Sequence, residues 1–305
     1  MGRVEMGSMT HLSDIPAAVK GLPRKRMAVA YGEDAHTLQA VERAVKEGIV
    51  DVVVVGGQKK IREIAGECGV DAKLFEIMDV EGEMPSVNAA VRLVREGSAH
   101  MLMKGLAHTD NYMRGILDKE TGLLPEGGLL SHVAVFEIPE YPRLLILSDA
   151  AVIPQPTLQQ KVTITTYAIR VARSLRIDVP RIAFLSASES VLKFASSQEA
   201  AILTGMAVRK QFGDVLAEGP ISVDLALFPE VSLIKGFTGR VRGDADILIV
   251  PGIDSGNVLY KAIVWFGKAE TAALVTGTTA PCILTSRGDS EDSKFYSIAL
   301  GALNA

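Results

Sequence analysis

Residues 26–57 read RMAVAYGEDAHTLQAVERAVKEGIVDVVVVGG. Two runs of small and β-branched residues, MAVA and VDVVVV, enclose a segment of a different period. In that segment Leu38, Val41, Ala44 and Val45 fall on one helical face, opposite Glu42, Arg43 and Lys46. Near-continuous apolar runs belong to strands buried on both faces, and a stripe repeating every 3.6 residues belongs to a helix lying on them. Strand, helix and strand joined by short Gly-containing links form a parallel pair with a crossover helix.

The alternation continues on both sides of this unit. QKKIREIAGECG and SVNAAVRLVREG read as helices, AKLFEIMD and HMLMKG as strands. Beyond Leu123, HVAVFEI and RLLILSD lie close together around PEYP and read as neighbouring strands with a tight connection. Pro154 and Pro156 then stiffen a crossing, and TLQQKVTITTYAIRVARSLRI reads as one long helix opened by Thr157. A second strand–helix alternation runs from RIAFLSAS to PCILTS, and the last helix carries Phe295, Ile298, Ala299, Ala302 and Leu303 at helical spacing.

Composition agrees with such a fold. A chain of 305 residues exceeds the usual single core, so it forms one large or two smaller α/β domains. With 48% hydrophobic and 22% charged residues it is globular, and no apolar run reaches the roughly 18 residues that cross a bilayer. The formal charge of -4 with dispersed basic residues implies neither a nucleic-acid footprint nor a membrane partner. Cys68 and Cys282 lie far apart, and the five histidines stand away from thiol or carboxylate clusters, so no metal site is expected. A reducing cytoplasm fits this cysteine usage and a start without a signal-peptide core. Residues 1–8 end in Gly7-Ser8 and read as a cloning remnant before a natural Met9.

Three strand-to-helix edges could carry chemistry. In CILTSRGDSEDSK, Thr285, Ser286, Arg287 and Gly288 pass from strand to helix, where hydroxyls, backbone N–H groups and a guanidinium meet an anion at the carboxyl edge of a sheet. The same pattern fits plain capping by Ser286 and Asp289. In IVPGIDSGNVLYK, Ser255, Gly256 and Asn257 open a helix and Lys261 follows one turn on; a solvated face explains that pair equally. In LMKGLAHTDNYMRGIL, Lys104 ends a strand, His108 and Arg114 lie nearby, and a helix start again offers an anion site; an isolated His108 is also an ordinary surface residue. The dinucleotide fingerprint GxGxxG and the phosphate loop GxxxxGK[ST] are absent, and FLSASES lacks the glycines of a nucleophile elbow. RGDS also spells an adhesion tetrapeptide, which would need secretion and a flexible exposed loop.

Ordered motifs carry a family resemblance. GDADILIVPGIDSGNVLYKAIVWFGKAETAALVTGTTAPCILTSRGDSEDSKFYSIALGA resembles the C-terminal signature of the phosphate acetyl/butyryltransferase family. MKGLAHTDNYMRGILDKETGL, LSDAAVIPQPTLQQK and RIAFLSASESV resemble the same family in the same order, so the likeness spans residues 25–305. It implies two α/β/α domains with mainly parallel sheets, an isocitrate/isopropylmalate dehydrogenase-like architecture, an active site in the inter-domain cleft, and a homodimer. On this reading residues 9–153 with 275–305 form one domain and 154–274 the other.

The resemblance further implies direct transfer of a short acyl group between CoA and phosphate, both substrates, with no permanently bound cofactor. Arg287 would hold the phosphate, Ser286 would steady the CoA thiol or the charge developing at the carbonyl, and Arg114 would be a second anion-binding arginine. Acetyl-specific members resemble SRG followed by an aspartate seven residues after the serine, as base toward the thiol. Here that place holds Ser293, and SRGDS is closer to the butyryl branch. Asp289 and Asp292 are the nearby acids, and the base is unassigned. A metal- and NAD-dependent decarboxylating dehydrogenase of related fold is the alternative enzyme class.

Overall fold

The computed structural model describes residues 7–285 and 289–305. Ser286, Arg287 and Gly288 therefore lie outside the described residues. A short helix α1 (Asp14–Val19) precedes β1 (Lys25–Ala30), α2 (Ala35–Lys46), β2 (Val50–Gly56), α3 (Gln58–Glu67), β3 (Glu76–Asp79), α4 (Glu83–Arg95), β4 (Met101–Lys104) and α5 (Thr109–Leu117). Next come β5 (Ser131–Glu137), β6 (Leu145–Ser148), α6 (Leu158–Ser174), β7 (Arg181–Leu185), α7 (Ala195–Val208), β8 (Leu216–Ile221), α8 (Val223–Leu227), α9 (Pro229–Ile234), β9 (Ile247–Ile249) and α10 (Ile253–Trp265). The chain ends with β10 (Glu270–Thr276), β11 (Cys282–Ile283) and α11 (Glu291–Asn304). Among the described residues no helix is long and apolar enough to cross a membrane.

Two compact units result. One comprises Ser13–Leu130 and Thr271–Ala305; the other comprises Ser131–Glu270 with the segment ending at Leu12. Pro154 and Pro156 predict a crossing after the β5–β6 hairpin, whereas the compact units divide before it, between Leu130 and Ser131. The reason is pairing: β5 runs antiparallel to β6, and β6 runs parallel to β9. The return lies between Glu270 and Thr271, ahead of the expected 274/275.

In the first unit the strand order is β3-β2-β1-β4-β11-β10. β1 is parallel to β2 and β4, and β11 is parallel to β4 but antiparallel to β10. β1 and β2 are buried almost throughout, as the MAVA and VVVV runs require. The crossovers β1-α2-β2 and β3-α4-β4 run in opposite directions along the sheet, so their common right-handedness sets α2 and α4 on opposite faces. α11 packs on α2 and α1, and α5 on α4. Strand order thus reverses between β1 and β4, and the crevice outside their carboxyl ends is the position where such sheets bind ligands.

In the second unit the order is β5-β6-β9-β7-β8, with β6, β9, β7 and β8 parallel. α6 starts where the sequence placed it. The Thr157 hydroxyl accepts from Gln160 N–H at 3.2 Å, and the Gln160 side chain accepts from Thr157 N–H at 2.8 Å, a reciprocal capping box. Thr157→Ala removes one half of it. The expected loss is about 1 kcal/mol, read as a lower denaturant midpoint for the transition of this unit.

Candidate active site

The carboxyl edge of β1, β4 and β11 collects the polar groups of the first unit. β11 pairs with β4 up to Ile283 and Met103, a register that sets Leu284 beside Lys104 and brings Thr285 out of the sheet beside Gly105. Lys104 is buried, and its Nζ donates to the carbonyls of Gly105 at 3.0 Å and Ala107 at 3.1 Å, which arches the chain over the strand end. Gly105 has to be glycine: a Cβ there would stand 2.4 Å from the Tyr31 carbonyl oxygen. Tyr31 itself has a left-handed backbone with φ 57°. The ends of β1 and β4 are thereby held in backbone contact, and Leu106 N–H donates to the Tyr31 carbonyl at 2.8 Å.

The arch delivers His108 to the start of α5, where Glu83 meets it from the first turn of α4. One Glu83 oxygen accepts from the His108 backbone N–H at 2.7 Å and from Asn111 Nδ2 at 2.8 Å. The other lies 3.0 Å from His108 Nδ1. Desolvation pushes the Glu83 carboxyl up, but the hydrogen bonds from Asn111 and His108 outweigh it and hold the group below the usual glutamate value. The His108 ring is 68% exposed. Glu83 was not among the residues singled out in the sequence. It stands 25 residues from His108, and no local spacing joins the two.

On the other side of the strand ends lies the start of α11. Ser290 is its N-cap and accepts from Ser293 N–H at 3.0 Å. Ser293, where the family pattern has an aspartate, is buried; its hydroxyl lies 3.1 Å from that of Ser290 and 3.2 Å from that of Thr271. Asp292 is bound to Arg43 of α2, whose guanidinium also stacks 3.9 Å from the centre of the Phe295 ring. Lys294 is buried and donates to the Asp289 carbonyl at 3.0 Å. Burial drives its ammonium below the usual lysine value, against the opposing pull of Asp289 and Asp34. Asp34 caps α2 by accepting from Thr37 N–H at 2.9 Å. The Thr285 side of the junction is buried too.

Arg114 lies in the last turn of α5, exposed, and makes no hydrogen bond or ion pair among the described residues. In the second unit, Ser255, Gly256, Asn257 and Lys261 all lie on α10. The Ser255 hydroxyl donates to the Gly252 carbonyl at 2.8 Å, and Asn257 Nδ2 to the Ala150 carbonyl at 3.1 Å. A Cβ at Gly256 would lie 2.6 Å from the Asp149 carbonyl oxygen, so that glycine lets α10 approach the end of β6. Lys261 is exposed. Ser186 of FLSASES binds the hydroxyls of Ser196 and Ser197 at 3.0 and 2.8 Å and ties β7 to the start of α7.

Buried lysines, helix N-termini and small residues at a topological switch point define an α/β protein whose edge suits an anionic substrate. Comparison with known proteins narrows the class. Residues 12–87 and 83–302 match the family described as "Phosphate acetyl/butaryl transferase". A phosphate butyryltransferase from Clostridium beijerinckii is 40% identical over 296 residues, covering 97% of this chain and 98% of the relative. A phosphate acetyltransferase from Thermotoga maritima is 39% identical, covering 92% and 95%. The crystal structure of a branched-chain phosphotransacylase from Enterococcus faecalis V583 superposes with a TM-score of 0.80 at 34% identity, covering 92% of this chain and 98% of that one. The chain belongs to the phosphate acetyl/butyryltransferase family.

A cysteine lies directly beneath this edge. Burial pushes the Cys282 thiol up to about 12, against hydrogen bonds from Thr278 and Tyr112. Tyr112 is also buried, and its hydroxyl donates to the Ile283 carbonyl at 3.1 Å. A thiol of that acidity holds almost no thiolate at neutral pH, so it is a packing residue and not a nucleophile. Under native conditions a thiol reagent should label the partly exposed Cys68 and leave Cys282 unmodified until the protein unfolds. Rapid native labelling of both would contradict this assignment.

Proposed function

We propose that the protein is an acyl-CoA:phosphate acyltransferase that interconverts a short-chain acyl-CoA plus phosphate with an acyl phosphate plus CoA. The observation that carries this reading is the family match over nearly the whole chain, with the TSRGDS junction at its most chemical point. The sulfur of CoA attacks the acyl carbonyl, the bond from that carbon to phosphate oxygen breaks, and phosphate leaves. Both substrates are anions. Arg287 neutralises the phosphate in bidentate fashion, and Ser286 steadies the thiol or the carbonyl oxygen as charge builds on it, with Gly288 allowing close approach of the backbone. Thr285 and Lys104 support the same edge from beneath.

Transfer is direct, in a ternary complex, and the active site lies in the cleft of an isocitrate/isopropylmalate dehydrogenase-like pair of domains. Arg114 and the α10 residues Ser255, Gly256, Asn257 and Lys261 complete substrate binding. The working form is a homodimer. Large apolar side chains exposed at the ends of α9 and α10, Leu233, Ile234, Trp265 and Phe266, support it, because a second copy would cover surface of that kind. Free cysteines support a cytoplasmic setting. Nothing favours the dehydrogenase alternative: among the described residues no group of three or more His, Cys, Asp or Glu could hold a metal ion. For the adhesion reading, only Ser290, the last residue of RGDS, has a described role, as the N-cap of α11.

Purified protein should release CoA from butyryl-, propionyl- or acetyl-CoA only when phosphate is present; failure with all of them in both directions would refute the reading. Arg287→Gln should lower kcat/KM for phosphate by about 10²-fold or more while leaving the fold unchanged. Across acyl lengths, each methylene should change kcat/KM by a factor corresponding to about 1 to 3 kcal/mol.

A further inference from the structure

Near α11 neither Asp292 nor Ser293 presents a clear acceptor for the CoA proton, and the charge of the third candidate, Asp289, acts on buried Lys294. The carboxylate of Asp292 is bound to Arg43, and position 293 is a buried serine. The carboxyl edge of β4, next to the strand that leads to Thr285, holds a better arrangement. A carboxylate only accepts hydrogen bonds, so the ring nitrogen facing Glu83 must be the one that donates. In the neutral imidazole the lone pair is then on Nε2, which makes no hydrogen bond among the described residues. Glu83 grips the backbone N–H of the same residue as well, and Asn111 braces the carboxylate from the next turn. A carboxylate that fixes the tautomer and direction of an imidazole, leaving Nε2 open, is how a histidine is prepared for proton transfer.

We propose that His108 is the general base toward the CoA thiol and that Glu83 is its positioning residue. This rests on the acyltransferase reading. The thiol proton passes to His108 Nε2 as the sulfur electron pair bonds to the carbonyl carbon. The carbon–oxygen bond to phosphate breaks with its electrons going to the phosphate oxygen, and the imidazolium afterwards returns its proton to the released phosphate or to water. In the opposite direction the imidazolium protonates the departing sulfur. Tyr31, with Glu33 beside it, lies after β1 within reach of the charge of Glu83, and Asp110 follows His108 on α5. Tyr31 senses the charge of Glu83, and burial together with Glu33 and Glu83 raises its phenol above the ordinary value, so it stays protonated and does not compete for the thiol proton.

The test uses the full chain, with acyl phosphate and CoA as substrates. His108→Ala should lower kcat by about 10²-fold with KM values changed little, and added imidazole should restore the rate in proportion to its concentration. Rescue by substituted imidazoles should rise with their basicity. His108→Gln keeps a donor toward Glu83 but offers no base, and should lose as much as the alanine variant. Glu83→Gln should lower kcat by a smaller factor, about tenfold, and gain nothing from imidazole, because the ring still fills the place. Full activity in His108→Gln, or a loss in His108→Ala that imidazole leaves untouched, would overturn the proposal while the parent activity stands. A wild-type protein without phosphate-dependent CoA release would overturn both.

Discussion

The pairing of β11 with β4 is the constraint on which the candidate site depends. It brings a strand from the end of the chain back beside one laid down some 180 residues earlier. Because β11 runs parallel to β4, Thr285, the first residue of the TSRGDS junction, leaves the sheet on the same side as Lys104, Gly105 and the arch toward His108. An antiparallel return would have sent that junction to the opposite edge. The same pairing puts α11 against α2, and the Arg43 contacts with Asp292 and the Phe295 ring lock that placement. Buried side chains beneath it, Tyr112 and Cys282, seal the sheet below the edge.

Around this pairing the charged groups divide into two kinds. Lys104 and Lys294 are buried and donate hydrogen bonds to backbone carbonyls, so each shapes a segment of main chain near the carboxyl edge of the sheet. Burying an ammonium is costly, and carbonyl partners offset part of that cost. The Glu83–His108 pair differs: its carboxylate is tightly held while the ring stays open to solvent, an arrangement suited to moving a proton. Burial separates the two kinds: the lysines lie inside and the imidazole outside.

Much of this was legible in the linear sequence. The apolar runs at 27–30 and 52–55 determine strands because only a sheet covered on both faces buries every residue of such a run. Thr157 announces a helix start because its hydroxyl satisfies a local backbone donor, a bond spanning three residues, whereas at α11 the sequence offers Ser286 and Asp289 as caps and the residue that caps the helix is Ser290. The TSRGDS junction and the ordered motifs around it also point to the family without a structure. The domain crossing was harder: prolines at 154 and 156 mark stiffness, but membership of a unit follows strand pairing, and β5 and β6 belong with β9.

What the sequence determined by itself, then, was every element whose cause is local: helix stripes, caps, buried strands and a family signature. What only the tertiary structure decided was partnership. Glu83 and His108 belong to different helices, and nothing in the 25 residues separating them encodes their meeting. The helix α4 must cross to the opposite face of the sheet and place its first turn beside the start of α5 before the carboxylate reaches the imidazole. The same holds for Ser293, which a one-dimensional pattern marks as a vacancy for an acid. In three dimensions it is a buried hydroxyl joined to Ser290 and Thr271, because the packing of α11 on the sheet turns that position inward.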